Sequence, residues 1–408
     1  MTPGPGTADL QSAALRDDPY VIFRGWRSHG PVLFREARND WLVIGHRAVT
    51  TALRDPRFGN GEPVKTPPTS AGCPRVGDAY GLMLTAGANV MADWPLMRDP
   101  PFHQRLRQPF VHLEHMLGVA WIEGRVAKLV DESLAGRAAT DIIDGVSELA
   151  RPLTFSISCD MLGIPLEDRP ALLPLIDKIG DGIDVDVSTA QVHQGLLAAA
   201  AARTYADRLF DRPAEHGLLA RLAEAVEAGS LDRSEAVALS VLSLLAGFRT
   251  SEALLSSSLY HLLGGNESWA TLAAGGEVLD GAVEECLRFD GPVHHVPRTA
   301  LCDAELEGQS VKAGQTLRLL LGAANRDPAA FIDPDRFNPD RARGQVLAMG
   351  LGIHSCPGGG LARHVVKAAI RHLSATVPQA RRLASPVSWR KGFQIRSLAA
   401  LPITLGGG

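Results

Sequence analysis

The stretch Met349-Gly350-Leu351-Gly352-Ile353-His354-Ser355-Cys356-Pro357-Gly358 constrains this 408-residue chain more than any other. One cysteine stands in a glycine-rich turn, two residues after a histidine and just ahead of a helical run from Leu361 to Leu373. Gly350, Gly352, Gly358, Gly359 and Gly360 let backbone amides approach whatever the sulfur touches, because no Cβ intervenes. A sulfur at a helix N-terminus is biased toward thiolate, the form that ligates a metal. The turn lacks the Gly-Lys-Ser/Thr ending of a phosphate-binding loop, which argues against nucleotide binding.

Around this turn the pattern is mainly α with a smaller β portion. Pro31–Phe34 and Trp41–Ile44 flank a charged turn and read as a hairpin. Gly59 to Ala79 is rich in proline and glycine and reads as loop. Helical periodicity then dominates from Leu106 to Leu263, with breaks expected at Gly163-Ile164-Pro165 and from Gly180 to Asp186. Short strands return at Ala304–Glu307, Thr316–Leu320 and between Phe393 and Ile403. With no repeat and no long linker, residues 1–408 read as a single domain. A net charge of −4 gives no support to nucleic acid as the main partner. No apolar run is expected to reach the roughly 20 residues of a membrane span, and Met1 to Leu10 has no signal-peptide character. Cys73, Cys159, Cys286, Cys302 and Cys356 are dispersed without Cys-x-x-Cys pairs, which fits a reducing cytoplasm.

Ala236 to Leu263 is apolar almost all round and reads as a helix through the core. Within it, Ala246-Gly247-Phe248-Arg249-Thr250 places a glycine gap beside a threonine whose hydroxyl can turn onto the carbonyl of Ala246. Such a gap can hold dioxygen and a water above a metal. Glu285 and Arg288 share a helix face, His103 and Arg107 share another, and Pro334-Asp335-Arg336-Phe337 follows in a loop.

In these motifs together the chain resembles the cytochrome P450 family, from about Asp18-Pro19-Tyr20 through Leu401-Pro402. The resemblance implies the P450 fold, with haem b between the long central helix and the cysteine loop. It implies Cys356 as the proximal iron ligand, close backbone at Gly350 and Gly358, and His103, Arg107, Arg298 and His354 on the two haem propionates. Arginine's fork suits carboxylates. Glu285, Arg288 and Arg336 correspond to the family's structural Glu–Arg–Arg triad. Ala246, Gly247, Arg249 and Thr250 correspond to its oxygen-activation segment. Tyr80, Asn89, Leu245, His294, His295, Val296, Phe393 and Gln394 fall where the family lines its substrate pocket.

The implied activity is that of a soluble, cytoplasmic, bacterial-type haem-thiolate monooxygenase of specialised metabolism. It would use dioxygen and electrons from a ferredoxin and ferredoxin reductase on a small-molecule substrate, with no membrane. Oxidative radical coupling without oxygen insertion, a peroxide-driven peroxygenase, and a non-catalytic haem-thiolate sensor stand as alternatives.

Three positions depart from the family. Arg249 stands where an acid usually precedes the threonine, and an arginine gives up no proton near neutral pH. It either pairs with Glu252 or another acid, or reaches the pocket to anchor substrate or order water. Pro357 follows the ligand and has no N–H to donate toward the sulfur, which implies a more electron-rich thiolate. Met349 replaces a phenylalanine and fills the gap with apolar bulk.

Overall fold

A computed structural model describes residues 4–60, 79–212, 216–264, 269–342, 344–384 and 386–406. The chain divides into two compact units. Unit 1 comprises Met1–Phe58, Gly118–Thr154 and Thr250–Gly408; unit 2 comprises Gly59–Leu117 and Phe155–Arg249.

The elements that matter for the site are few. In chain order they are α1 (Pro19–Arg27), β1 (Val32–Arg35), β2 (Asp40–Val43), α2 (Ala79–Ala92), α3 (Phe102–Arg107), α4 (Arg151–Met161), α5 (Arg169–Gly182), α6 (Thr189–Leu209), α7 (Arg233–Leu262), α8 (Gly276–Asp290), β3 (Val296–Ala300), β4 (Thr316–Leu319) and α9 (Gly359–Thr376). Both α4 and α7 run through the boundary that separates the units.

In unit 1, β1 and β2 form the expected hairpin, with Val32 opposite Val43 and Arg35 opposite Asp40. Asn39, at φ 51°, turns the chain between them. β2 then runs parallel to β4, and β3 pairs antiparallel with β4, bringing Arg298 opposite Leu317. The apolar faces of these strands share a core with Val49, Leu53 and Leu347. At the turn end of the hairpin Arg35, wholly buried, grips Asp40 with Nε and Nη2 at 2.7 and 2.6 Å, and Arg318 adds a third contact at 2.6 Å. Burial alone would raise the Asp40 carboxyl, but the hydrogen bonds from Arg35 and Arg318 override it and hold it below the usual carboxylate range.

In unit 2, α6 packs against α2 and α5 with backbone nearly touching backbone. A Cβ at Gly87 would stand 2.0 Å from the carbonyl oxygen of Leu196, and one at Gly182 would stand 2.8 Å from Cα of Gly195. These glycines are therefore packing devices. The break expected from Gly180 to Asp186 is present but begins after Gly182, because Gly180 and Gly182 are consumed in close approach while α5 is still helical.

Every residue of α7 from Ala236 to Leu245 is buried. Ser240 and Ser243 bury their hydroxyls by donating to the carbonyls of Ala236 and Leu239, at 3.0 and 2.6 Å. Against the expectation from sequence, α7 is long and apolar enough to cross a membrane, yet 78% of its apolar window is buried in the protein. It is a core helix.

Candidate functional site

Unit 1 carries the cysteine turn. Gly350 and Gly352 have φ of 66° and 71°, a region that glycine occupies without penalty. A Cβ at Gly352 would meet the carbonyl oxygen of Leu53 at 2.6 Å. Two backbone bonds close the loop: the N–H of Gly350 donates to Leu347 and that of Cys356 to Met349, both at 2.8 Å. Gly358 is the N-cap of α9 at φ −91°, so its backbone angle alone does not require glycine. Met349 lies over the start of that helix, its sulfur 3.5 Å from where a Cβ on Gly359 would be.

None of the described cysteines Cys159, Cys286, Cys302 and Cys356 is in a disulfide, and Cys73 lies outside the described residues. Burial pushes the thiols of Cys159 and Cys286 up to about 12, so both are protonated and inert. Cys356 is exposed on its turn. Its companions in unit 1 are Arg298, nearly buried on β3 with Nη1 donating to its neighbour's carbonyl at Pro297 (2.7 Å), and the half-buried His354.

The turn is held from behind by α8. Arg288 grips Glu285 with Nε and Nη2 at 2.8 and 2.7 Å, both side chains almost fully buried. Its Nη1 donates to the carbonyls of Asn325 and Pro334 at 2.9 and 2.8 Å. The Asn325 side chain in turn accepts from the N–H of Leu347 at 2.8 Å, at the root of the cysteine turn. The triad's third member is a correction. Arg336 is exposed and offers only its backbone carbonyl, whereas Arg341 places Nε 3.3 Å from Glu285. Asn338 N–H also donates to Glu285, so the chain must turn before an arginine side chain can reach that carboxylate. A signal existed: Pro339-Asp340-Arg341 repeats Pro334-Asp335-Arg336 five residues on.

Unit 2 carries the rest. His103 is buried and Arg107 half-buried on α3. On α7, Ala246 is exposed directly after ten buried residues. Gly247 is spent on packing, since a Cβ there would meet Ser158 Oγ of α4 at 3.2 Å. The next side chain, Phe248, packs edge-on against Phe155 at 5.0 Å. Thr250, the first unit 1 residue of α7, is half-buried.

Arg249 does not pair with Glu252. Its guanidinium lies 3.2 Å from Asp177 and 3.3 Å from Asp181, both on α5. Glu252 is buried between Arg151 and Arg390 in unit 1, at 3.0 and 3.2 Å. Asp181 is thus a helical residue in an ion pair.

Among the pocket candidates, His294 is corrected most. It is buried against Tyr20, whose hydroxyl lies 3.3 Å from Nε2, and its ring packs on Phe23 and Phe393. Tyr20 also donates to Asp290 at 2.7 Å, and Asp290 accepts from Arg396 at 2.8 Å, so this histidine belongs to a buried polar cluster. His295 is equally buried, tilted on Phe393, with Nδ1 lacking a hydrogen-bond partner. Burial pushes both imidazoles down to about 3, so they are neutral at ordinary pH. Asn89 is exposed on α2, where with Val90, Asp93, Arg203 and Ser234 it lines a polar concavity of about 420 Å³ within unit 2. Leu245 and Phe393 are buried, Val296 and Gln394 partly so. The Tyr80 side chain lies outside the described residues.

The donor set fits a haem: an exposed soft sulfur on a turn cleared of Cβ atoms, basic side chains suited to carboxylates, and an accessible Ala246 in a helix otherwise buried. Comparison with known proteins agrees. The Cytochrome P450 family profile matches residues 277–373, which contain Glu285, Arg288, Arg298 and Cys356. The monooxygenase PikC of Streptomyces venezuelae is 33% identical over 95% of this chain and 91% of its own length. The structure of P450BioI in complex with a hexadec-9Z-enoic acid ligated acyl carrier protein superposes with a TM-score of 0.83 at 27% identity, covering 96% of this chain and all of that one. CalO2 superposes at 0.84 with 27% identity, covering 98% and 100%. A cysteine turn so braced, and likeness over nearly the whole length, place this chain in the cytochrome P450 family of haem-thiolate enzymes.

Proposed function

We propose that this protein is a cytoplasmic monooxygenase of specialised metabolism, oxidising a small molecule with dioxygen and electrons from a ferredoxin-type partner. Residues 1–408 act as one P450 domain. The observation that carries the reading is the exposed Cys356 sulfur, on a turn with two left-handed glycines at the N-terminus of α9. When bound, haem b supplies an iron that accepts electrons and activates dioxygen.

The chain's own residues do the rest. Cys356 ligates the iron as thiolate, and Gly350 and Gly358 keep Cβ atoms away from the ring. Arg298 and His354 of unit 1, with His103 and Arg107 of unit 2, neutralise the propionates. Thr250 holds a proton-bearing hydroxyl beside the small side chain of Ala246. Leu245, Val296, Phe393 and the neutral His295 present apolar and aromatic surface to a substrate, with Gln394 supplying polar contact. His294 and Asn89 leave this set because their surroundings are accounted for above.

The test begins with the reduced, carbon monoxide-treated protein. A red-shifted Soret band that Cys356→Ser abolishes is expected; an unshifted band in the wild type overturns thiolate ligation. Titration with candidate metabolites should convert the haem from low to high spin, and oxygenated product should form with a ferredoxin system. Spin conversion with coupled but unoxygenated product would replace the monooxygenase reading by radical coupling.

A further inference from the structure

Arg249 occupies the position on α7 next to Thr250, and the structure gives its guanidinium two carboxylates on α5. Asp177 and Asp181 are one helical turn apart and so share a face. Nη1 lies 3.2 Å from Asp177 Oδ1 and 3.4 Å from Asp181 Oδ1, and Nη2 lies 3.3 Å from Asp181 Oδ1. Nη1 also donates to the backbone carbonyl of Asp177 at 3.2 Å. Gly180 makes the approach feasible, because a Cβ there would stand 2.9 Å from Nη1.

The energetics favour this arrangement in one direction. α5 ends at Gly182, so Asp181 sits in its last turn and Asp177 only just before it. The negative end of a helix dipole disfavours acids and welcomes a cation. Arg249 therefore offsets both carboxylates and the helix terminus together. Its side chain is 9% exposed, while those of Asp177 and Asp181 are 27% and 58% exposed. Water and salt reach the acids first, so the contact can be opened from the α5 side.

Opening α5 would not move that helix alone. Gly182 and Gly195 lock it to α6, and Gly87 locks α6 to α2, with separations that leave no room for sliding by side-chain rearrangement. The three helices form a plate with charged ties to α7: the exposed pair of Arg233 with Asp207 at 2.8 Å on α6, and the largely buried guanidinium of Arg249 with Asp177 and Asp181 on α5.

We propose that Arg249 is a positioning residue: with Asp177 and Asp181 it forms an electrostatic latch that holds the α2–α5–α6 plate closed on α7, and ligand admission breaks it. Arg249 then influences the reaction through closure, not by touching substrate or relaying protons. The inference depends on the haem reading only through the spectroscopic probe below.

The test uses the haem-loaded full chain and 4-phenylimidazole, whose binding to iron shifts the Soret band. For the wild type, stopped-flow association should accelerate as sodium chloride rises. Arg249→Gln should associate about fivefold faster at low salt and show a weaker salt dependence than wild type, and Arg249→Lys should stay near wild type. Amide exchange in residues 175–182 should quicken in Arg249→Gln, a readout that needs no probe. Asp181→Asn, at an exposed side chain, serves the same purpose if Arg249→Gln does not fold. Association and exchange in both Arg249→Gln and Asp181→Asn equal to wild type would overturn the latch. So would a changed product distribution in Arg249→Gln with unchanged exchange, which would mean contact with substrate. If the azole gives no spectral shift in the wild type, the haem reading fails, and exchange alone decides the latch.

Discussion

Replacing Arg341 and Arg336 separately by alanine weighs the two arginines that follow the Glu-x-x-Arg pair. Arg341 is 14% exposed, holds Glu285 at 3.3–3.4 Å, and donates to the carbonyls of Ile332, Asp333 and Arg336. Glu285 keeps Arg288 and the Asn338 N–H when Arg341 is lost, so no buried charge is stranded. The loss is therefore that of a few charge-assisted hydrogen bonds, partly replaced by water, or about 3 kcal/mol. Arg336 contributes only its backbone, and its truncation should fall within about 0.5 kcal/mol of zero. For a cooperative unit of 408 residues, 3 kcal/mol corresponds to a fall in midpoint of roughly 3–4 °C. Thermal unfolding of the haem-loaded protein by circular dichroism reads both variants. Arg336→Ala destabilised as much as Arg341→Ala would refute the reasoning, because exposure and contact geometry would then have misassigned the load.

Two other outcomes are expected. Pro357→Leu should raise the haem reduction potential, because the new N–H can donate toward the thiolate; potentiometric titration checks this, and an unchanged potential removes proline from the tuning of the iron. His294 and His295 are each held neutral, with the protonated form suppressed to about 3 against an ordinary 6.5. Between those values the unfolded chain binds protons that the folded chain does not, so stability falls as pH drops below about 6.5, by up to about 1.4 kcal/mol per pH unit for each histidine. Denaturant titrations at several pH values should show the slope reduced in His295→Phe, and an unaltered slope would assign the acid sensitivity elsewhere.

The readable parts of the sequence were those where one local pattern admits one structure. The apolar run of α7, the β1–β2 hairpin, the cysteine turn and the Glu285–Arg288 pair each encode their geometry within a short window. What escaped depends on partners far along the chain. Arg249 meets acids 68 and 72 residues away, and nothing near residue 249 names them. The break after α5 begins only past Gly182, because a glycine's cost is visible locally, whereas the neighbour it admits is not. The burial of His294 is not legible locally because it comes from Tyr20 and Phe23, 274 and 271 positions earlier. Arg336 and Arg341 were indistinguishable by motif, since only the path of the intervening loop decides which reaches Glu285.

The cluster around Tyr20 has a bearing on biosynthesis. Asp290 accepts from Tyr20, 270 residues earlier, and Arg396 donates both to Asp290 and to the backbone of Arg16, 380 residues away. Unit 1 is thus stitched from segments made first and nearly last, whereas every segment of unit 2 exists once residue 249 has been synthesised. A ribosome-bound chain can fold unit 2 early but must leave the hairpin and α1 waiting through most of elongation. Cys356 and its brace arrive in that final interval. Cofactor capture therefore cannot precede the synthesis of Cys356, and until then the apolar faces of α1 and the hairpin are the surfaces that chaperones would meet.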